Sequence, residues 1–135
     1  MKLCDTSVLV DVDRGVADGR ARRLDDEGRH AISAVTVTAL RLGVNKRYEG
    51  DRRRDAIDDL DRLLARVDVV DVTRSVATAA GDIIAQLRRD GQPLHDLHDV
   101  YVAATARTEQ LPVLTANVDH FERIDGVEVT DWESY

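Results

Sequence analysis

Short apolar runs alternate along the chain with longer segments whose apolar residues recur every three or four positions. The short runs predict strands over residues 2–5, 30–32, 67–72, 112–115 and 127–129. The longer segments predict a helix that follows the first strand at about residue 7, and further helices over residues 34–48, 51–65, 73–90 and 96–109. Strands that alternate with helices are typical of a parallel sheet covered on both faces, so the pattern predicts an α/β fold.

Polar residues mark the starts of several predicted helices. Ser33 is the predicted N-cap of the second helix, and Asp51 caps the third after Gly50 closes the second. Thr73 begins the fourth helix, which ends before Gly91 and Pro93. This helix has an apolar stripe that we expect to face the sheet, formed by Val76, Ala80, Ile83, Ile84 and Leu87.

Length and composition predict one globular domain, residues 1–135. Hydrophobic residues make up 43% of the chain and charged residues 33%, which excludes a disordered protein. No apolar run approaches the ~20 residues that span a bilayer, and no secretory leader is evident. We therefore expect a cytoplasmic protein that does not enter the membrane. Its single cysteine, Cys4, excludes an internal disulfide.

The charge balance is acidic, with 26 Asp and Glu residues against 19 Lys and Arg residues and a net charge of −7. Such a chain has no overall electrostatic attraction for nucleic acid. Any RNA must then be held by local arginine clusters or by metal ions. The five aromatic residues show no regular spacing, so we expect no base-stacking platform.

Polar side chains collect where the predicted strands end, which is where ligands bind in open parallel sheets. Asp5 ends the first strand, Asp96 and Asp99 begin the last predicted helix, and Asn117 and Asp119 follow the fourth strand. Carboxylates gathered in one crevice repel unless they hold a proton or a cation, and oxygen ligands suit Mg²⁺ or Mn²⁺. The alternative is that these residues are helix caps. Asp99 argues against it, because Asp96 is already placed to cap the helix.

Four segments of the chain resemble those of PIN-domain ribonucleases, in particular the VapC-type toxins of toxin–antitoxin pairs. In chain order they are Met1–Asp11 (MKLCDTSVLVD), Ile32–Gly43 (ISAVTVTALRLG), Asp99–Ala106 (DVYVAATA) and Leu111–Ile124 (LPVLTANVDHFERI). The resemblance implies a three-layer α/β/α sandwich around a mostly parallel sheet. It also implies Mg²⁺- or Mn²⁺-dependent cleavage of RNA phosphodiester bonds, and neutralisation by a cognate VapB-like antitoxin.

The resemblance assigns roles to individual residues. Asp5 and Asp99 match the two metal-binding aspartates, and Asn117 matches a polar ligand of the fourth segment. The family commonly has an acid where this chain has His120, so either His120 or the adjacent Asp119 completes the site. Supporting roles are expected for Thr6 and Ser7, which would orient Asp5, and for Asp96 and Thr115. His95, His98 and His120 are expected to be solvated, with a general-acid role for one of them as the alternative.

The chain departs from the family at Ala39, where the resemblance leads us to expect a glutamate. A methyl group neither binds a metal nor accepts a proton, so the acidic constellation lacks one member. Two hypotheses follow: a ribonuclease toxin weakened or inactivated at this position, or a catalytically silent PIN domain that acts as a binding or decoy module.

The resemblance also places the antitoxin groove on the helices over residues 34–48 and 51–64. The apolar residues there exceed one narrow stripe, so we expect some to be exposed and to support a homodimer as well. The candidates are Leu42, Val44, Tyr48, Leu63 and Leu64.

Overall fold

Five strands alternate with seven helices in the residues that the computed structural model describes, 1–93 and 96–135. The strands are β1 (Leu3–Cys4), β2 (Ala31–Ser33), β3 (Asp68–Val70), β4 (Val113–Thr115) and β5 (Val129–Asp131). The helices are α1 (Thr6–Arg14), α2 (Asp18–Asp26), α3 (Ala34–Arg47), α4 (Gly50–Leu64), α5 (Arg74–Arg89), α6 (Leu97–Glu109) and α7 (Val118–Glu122).

The strands form one parallel sheet in the order β3-β2-β1-β4-β5. Strand β1 is central, with Leu3 paired to Ala31 of β2 on one side and to Val113 of β4 on the other. The carboxyl ends of β1 and β4 are therefore neighbours at the same edge. This sheet confirms the predicted α/β fold class.

Alternating strand residues build a separate core on each face of the sheet. Leu3, Ala31 and Val113 pack against α5 and α6 in one core. The residues that follow them, Cys4, Ile32 and Leu114, pack in the other core with α1 and the buried Trp132. Period-two alternation in a strand sends neighbouring side chains to opposite faces, which gives the three layers.

Most predicted helix starts match the structure. Ser33 accepts a hydrogen bond from the backbone N–H of Val35 at 3.2 Å, and Thr73 accepts one from Val76 at 3.2 Å. The predicted stripe of α5 is buried at Val76, Ala80, Ile83 and Leu87, and Ile84 packs against the same core.

The prediction around Gly50 was wrong. Helix α3 ends at Arg47, and Gly50 is the first residue of α4, with Glu49 at the cap position and Asp51 inside the first turn. Gly50 has a φ of +58°, which glycine adopts without the steric cost of a Cβ. The helices α2 and α7 were not predicted at all. Among the described residues, no helix has the length and apolar character needed to cross a membrane.

Candidate active site

Asp5 lies directly after β1, where it caps α1 with its side chain. Its Oδ1 accepts a hydrogen bond from the backbone N–H of Thr6 at 2.8 Å. Its Oδ2 accepts one from the Thr115 hydroxyl at 2.9 Å, and the Ser7 hydroxyl lies 3.5 Å away. The residue is only 3% exposed. Donors from β4 and α1 therefore fix a buried carboxylate at the carboxyl edge of the sheet.

Asp99 lies in the first turn of α6 without capping it. The cap is Asp96, whose Oδ1 accepts a hydrogen bond from the backbone N–H of His98 at 2.9 Å. The Asp99 carboxylate instead contacts two imidazoles: its Oδ2 is 2.8 Å from Nδ1 of His120, and its Oδ1 is 3.6 Å from Nδ1 of His98. The capping requirement thus does not explain the charge of Asp99.

Asp5, His98 and Asp99 form a compact group of potential metal ligands. One ligand atom from each residue lies within 4.8 Å of the other two. Two of these groups are carboxylates from different elements, and the third is an imidazole. A divalent cation is the species that such a donor set accepts, since it neutralises the two negative charges at once.

His98 is fixed by hydroxyl groups rather than solvated. Its Nε2 lies 3.2 Å from Oγ1 of Thr6 and 3.3 Å from Oγ1 of Thr36, which is fully buried. His98 was not predicted as part of the metal-binding group. A usable signal was present, because Thr6 and Thr36 each lie early in the helix that follows an adjacent strand, and this topology brings both hydroxyls to the same edge.

Thr115 links Asp5 to the loop after β4. Its hydroxyl donates to Asp5 and accepts a hydrogen bond from the backbone N–H of Asn117 at 2.9 Å. The side chains of Asn117 and Asp119 are exposed, and within residues 1–93 and 96–135 no hydrogen bond or ion pair joins them to Asp5 or Asp99. Their roles in the site therefore remain predictions.

His120, in α7 after β4, contacts Asp99 through its Nδ1. The resemblance leaves open whether His120 or Asp119 completes the site, and in the structure His120 is the residue that contacts Asp99. The prediction for His95 falls outside the described residues.

Ala39 borders a cavity of about 530 Å³ next to the metal-binding group. Thr6 and His98 line the same cavity, together with Leu42 of α3 and Leu97 of α6. Ala39 is half-buried, so its methyl group faces an open space rather than the core. The position is thus placed where a longer polar side chain would extend toward the site.

The two carboxylates have pKa values shifted in opposite directions. Burial raises the pKa of Asp5 above its ordinary value; hydrogen bonds from Thr115 and Thr6 offset part of this, and the charge of Asp99 adds to it. Burial also acts to raise the pKa of Asp99, but the imidazoles of His98 and His120 outweigh it, and the pKa falls below the ordinary value. Negative charge is therefore held more firmly on Asp99 than on Asp5.

Comparisons with known proteins agree with this fold. The family model described as PIN domain matches residues 2–127. The tRNA(fMet)-specific endonuclease VapC of Shigella flexneri is 31% identical over 131 residues, which cover 96% of each chain.

Similar solved structures come from toxin–antitoxin complexes. A chain of the DNA-bound VapBC complex from Salmonella typhimurium has a TM-score of 0.86 at 26% identity, covering 98% of this chain and 99% of that one. A chain of FitAcB from Neisseria gonorrhoeae has a TM-score of 0.83 at 26% identity and covers all of both chains. This chain therefore belongs to the PIN-domain family, within its VapC branch.

Proposed function

We propose that this protein is a metal-dependent endoribonuclease that acts as the toxin of a toxin–antitoxin pair in the cytoplasm. The observation that carries the proposal is the group formed by Asp5, His98 and Asp99 at the carboxyl edge of a PIN-domain sheet. Relatives of this chain are named as VapC ribonucleases and endonucleases, which supports RNA as the substrate.

The donor set fits a divalent cation such as Mg²⁺ or Mn²⁺. Asp5 and Asp99 would supply the anionic ligands, and Oδ1 of Asp5 and Oδ2 of Asp99, which each take part in one hydrogen bond, keep a lone pair for a cation. A divalent ion bound there supplies Lewis-acid polarisation of the scissile phosphate and lowers the pKa of an attacking water. Asn117 and Asp119 would contribute further oxygen ligands from the segment after β4.

The neighbouring residues position these ligands. Thr115 and Ser7 hold one oxygen of Asp5 from two directions, and the Thr6 backbone holds the other. His120 orients Asp99 through its Nδ1. Asp96 keeps the first turn of α6 in place as its cap. Together these contacts preorganise the carboxylates before RNA arrives, which reduces the reorganisation that the reaction requires.

Ala39 favours a second candidate function, a catalytically silent PIN domain that binds a partner without cleaving RNA. The methyl group borders the cavity beside the site and adds no ligand or proton acceptor. A ribonuclease weakened at this position and a silent module differ in one measurable property, which is residual cleavage that depends on both metal and Asp5.

A second groove supports an antitoxin as the partner. A cavity of about 370 Å³ lies between α1, α3 and α4, on a different part of α3 from Ala39. Val44, Tyr48 and Leu63 line it together with Arg14 and Arg47. Apolar walls with charged rims suit a helix or an extended tail of a VapB-like antitoxin. The exposed Leu42 lies outside this groove and supports the proposed homodimer instead.

The decisive experiment measures cleavage of RNA by the purified chain with Mn²⁺ or Mg²⁺ and with chelator. Initiator tRNA is the first substrate to test, because the Shigella flexneri relative is named for cleaving it. Metal-dependent cleavage that Asp5→Asn abolishes and Asp82→Asn retains supports the ribonuclease, since Asp82 is exposed on α5. Antitoxin binding without any such cleavage supports the silent module.

A further inference from the structure

The ring of His98 is oriented so that one nitrogen faces the carboxylates and the other faces hydroxyl groups. Nε2 lies within hydrogen-bonding distance of Thr6 and Thr36, and in the tautomer with the proton on Nε2 a hydroxyl oxygen accepts that N–H. A proton on Nε2 leaves the lone pair on Nδ1, the atom that lies 3.6 Å from Oδ1 of Asp99. Histidines that bind metals are commonly held in this way, with the second ring nitrogen donating to a neighbouring oxygen.

The imidazole also faces the cavity that Ala39 borders. Thr36 and Ala39 are three residues apart on α3 and so lie on the same side of the helix. The Thr36 hydroxyl contacts His98, and Ala39 lines the same cavity as His98. His98 therefore lies on the same side of the site as position 39, where this chain has no carboxylate.

The exchange of an oxygen ligand for a nitrogen ligand changes which ions a site prefers. Mg²⁺ is bound through oxygen and keeps much of its water, whereas imidazole suits zinc, cobalt and nickel. We propose that His98 is a third metal ligand through Nδ1, beside Asp5 and Asp99, and that it raises the ratio of Zn²⁺ to Mg²⁺ affinity at this site. The inference rests on the proposed metal site and specifies its donor set.

The order of affinities alone does not test the proposal, because Zn²⁺ binds more tightly than Mg²⁺ at most mixed sites. The informative quantity is the ratio of the two affinities and its dependence on His98. His98→Gln keeps an amide that reaches toward the threonine hydroxyls but removes the imidazole nitrogen. We expect it to lower Zn²⁺ affinity by roughly tenfold to a hundredfold or more, the range seen when even outer partners of metal ligands are lost. Mg²⁺ affinity should change by much less.

A compensating variant sharpens the test. Ala39→Glu combined with His98→Gln returns an oxygen ligand to the same side of the site. We expect the pair to bind Mg²⁺ more tightly than His98→Gln alone and to retain the lowered Zn²⁺ affinity. Asp5→Asn is the control for loss of the whole site and should weaken binding of both ions.

The experiment is calorimetric titration of the full chain with ZnCl₂ and MgCl₂, without RNA, on folded samples verified by circular dichroism. Nitrogen-15 NMR of the unsubstituted protein adds a readout that needs no variant, because Zn²⁺ should shift the Nδ1 resonance of His98. Equal losses of Zn²⁺ and Mg²⁺ affinity in His98→Gln, or an unshifted Nδ1 resonance in saturating Zn²⁺, overturns the proposal.

Failure of this inference is distinguishable from failure of the proposed function. If RNA cleavage depends on Mg²⁺ but the ratio of Zn²⁺ to Mg²⁺ affinity is unchanged in His98→Gln, the protein is a ribonuclease and His98 is not a metal ligand. If the ratio of Zn²⁺ to Mg²⁺ affinity changes in His98→Gln but no ion supports RNA cleavage, His98 is a metal ligand and the protein is the silent module.

Discussion

Asp5 and Asp99 share a site but differ in what their charges do for the folded protein. Burial raises the pKa of Asp5. The contribution of Asp5 to the free energy of unfolding is therefore fully present when the pH is below the pKa of the unfolded state, and it is lost as the pH rises through the pKa of the folded state. The pKa of Asp99 is lowered, so its contribution is present above the unfolded pKa and is lost as the pH falls. At neutral pH the metal-free protein is thus weakened by the charge of Asp5 and stabilised by that of Asp99.

The first prediction follows from this difference. Asp5→Asn and Asp99→Asn should each weaken Mn²⁺ binding by about tenfold or more. Without metal, Asp5→Asn should unfold at an equal or higher temperature, and Asp99→Asn at a lower one, because the second variant loses the charge that His98 and His120 stabilise. Calorimetric titration and thermal unfolding measure both effects. Unchanged Mn²⁺ affinity in both variants would leave these aspartates with structural roles only.

Ala39 allows a gain-of-function prediction. A glutamate there adds a carboxylate on the side of the cavity that Thr6 and His98 share. General-base and positioning contributions are commonly worth ~10²–10⁴-fold in rate, so Ala39→Glu should increase Mn²⁺-dependent RNA cleavage. It should also increase growth inhibition in cells without antitoxin. Because Ala39 is half-buried beside open space, the variant should fold.

The control for Ala39→Glu is Ala39→Gln, which has the same shape without the charge. It should leave cleavage close to that of the unsubstituted protein. A folded Ala39→Glu protein with no gain in cleavage contradicts the catalytic assignment of this position and favours the silent module.

At the scale of elements, one tie joins the start of β1, the end of α2 and the carboxyl terminus. Lys2 Nζ lies 2.7 Å from Oε2 of Glu27, and the Tyr135 hydroxyl donates to the same oxygen. These two hydrogen bonds, with that of Lys2 the larger cause, lower the pKa of Glu27 from 4.5 to about 2. The tie holds the last residue of the chain against the edge of the core that contains Trp132.

The pH dependence of stability should report this tie. A lowered pKa means that the contribution of Glu27 is present above its ordinary value of 4.5 and is lost as the pH falls through about 2. The side chain is 31% exposed, so we expect less than about 1 kcal/mol. Glu27→Gln should lower the free energy of unfolding near neutral pH and match the unsubstituted protein near pH 2. Glu109→Gln, at an exposed position of α6, should have no effect at either pH.

The elements differ in how well their sequences predict them, and the differences have physical causes. Helix α5 has four buried apolar residues at helical spacing, so its pattern is strong. Helix α2 buries only Leu24 of its nine residues, and α7 is five residues long, so neither has a stripe that a sequence window detects. The start of α4 was misplaced because Gly50 signals a helix end but here begins α4.

The site shows the same division. Strand ends and helix starts indicated that Asp5 and Asp99 lie at one sheet edge, and the family resemblance selected them as the two metal-binding acids. The topology indicates that the Thr6 and Thr36 hydroxyls meet at this edge, but the contact of His98 with them also depends on how α6 packs beside α1 and α3, which spacing along the chain does not encode.

For the whole molecule, the proposed antitoxin groove and the cavity beside the metal-binding group lie on different surfaces. The groove between α1, α3 and α4 is separate from the cavity that borders the metal-binding group. An antitoxin bound only in the groove would therefore leave the entrance of the cavity beside Ala39 uncovered. Two exposed side chains at that entrance are apolar, Leu42 at 49% and Leu97 at 54% exposure, and they lie beside the exposed Thr38 and Asp96. A net charge of −7 on each copy opposes self-association, so a contact between copies must depend on buried apolar area.

The last prediction concerns self-association through this entrance. Leu42 of α3 and Leu97 of α6 line the same cavity, so a second copy that covers them buries apolar area at about 25 cal/mol per Å². We expect a homodimer in sedimentation velocity, and we expect Leu42→Glu to shift it to monomer. Val72→Glu is the matched control, because Val72 is also an exposed apolar residue but lines neither cavity. A dimer that persists in Leu42→Glu would place the contact elsewhere, and a monomer at all concentrations of the unsubstituted protein would contradict the predicted dimer itself.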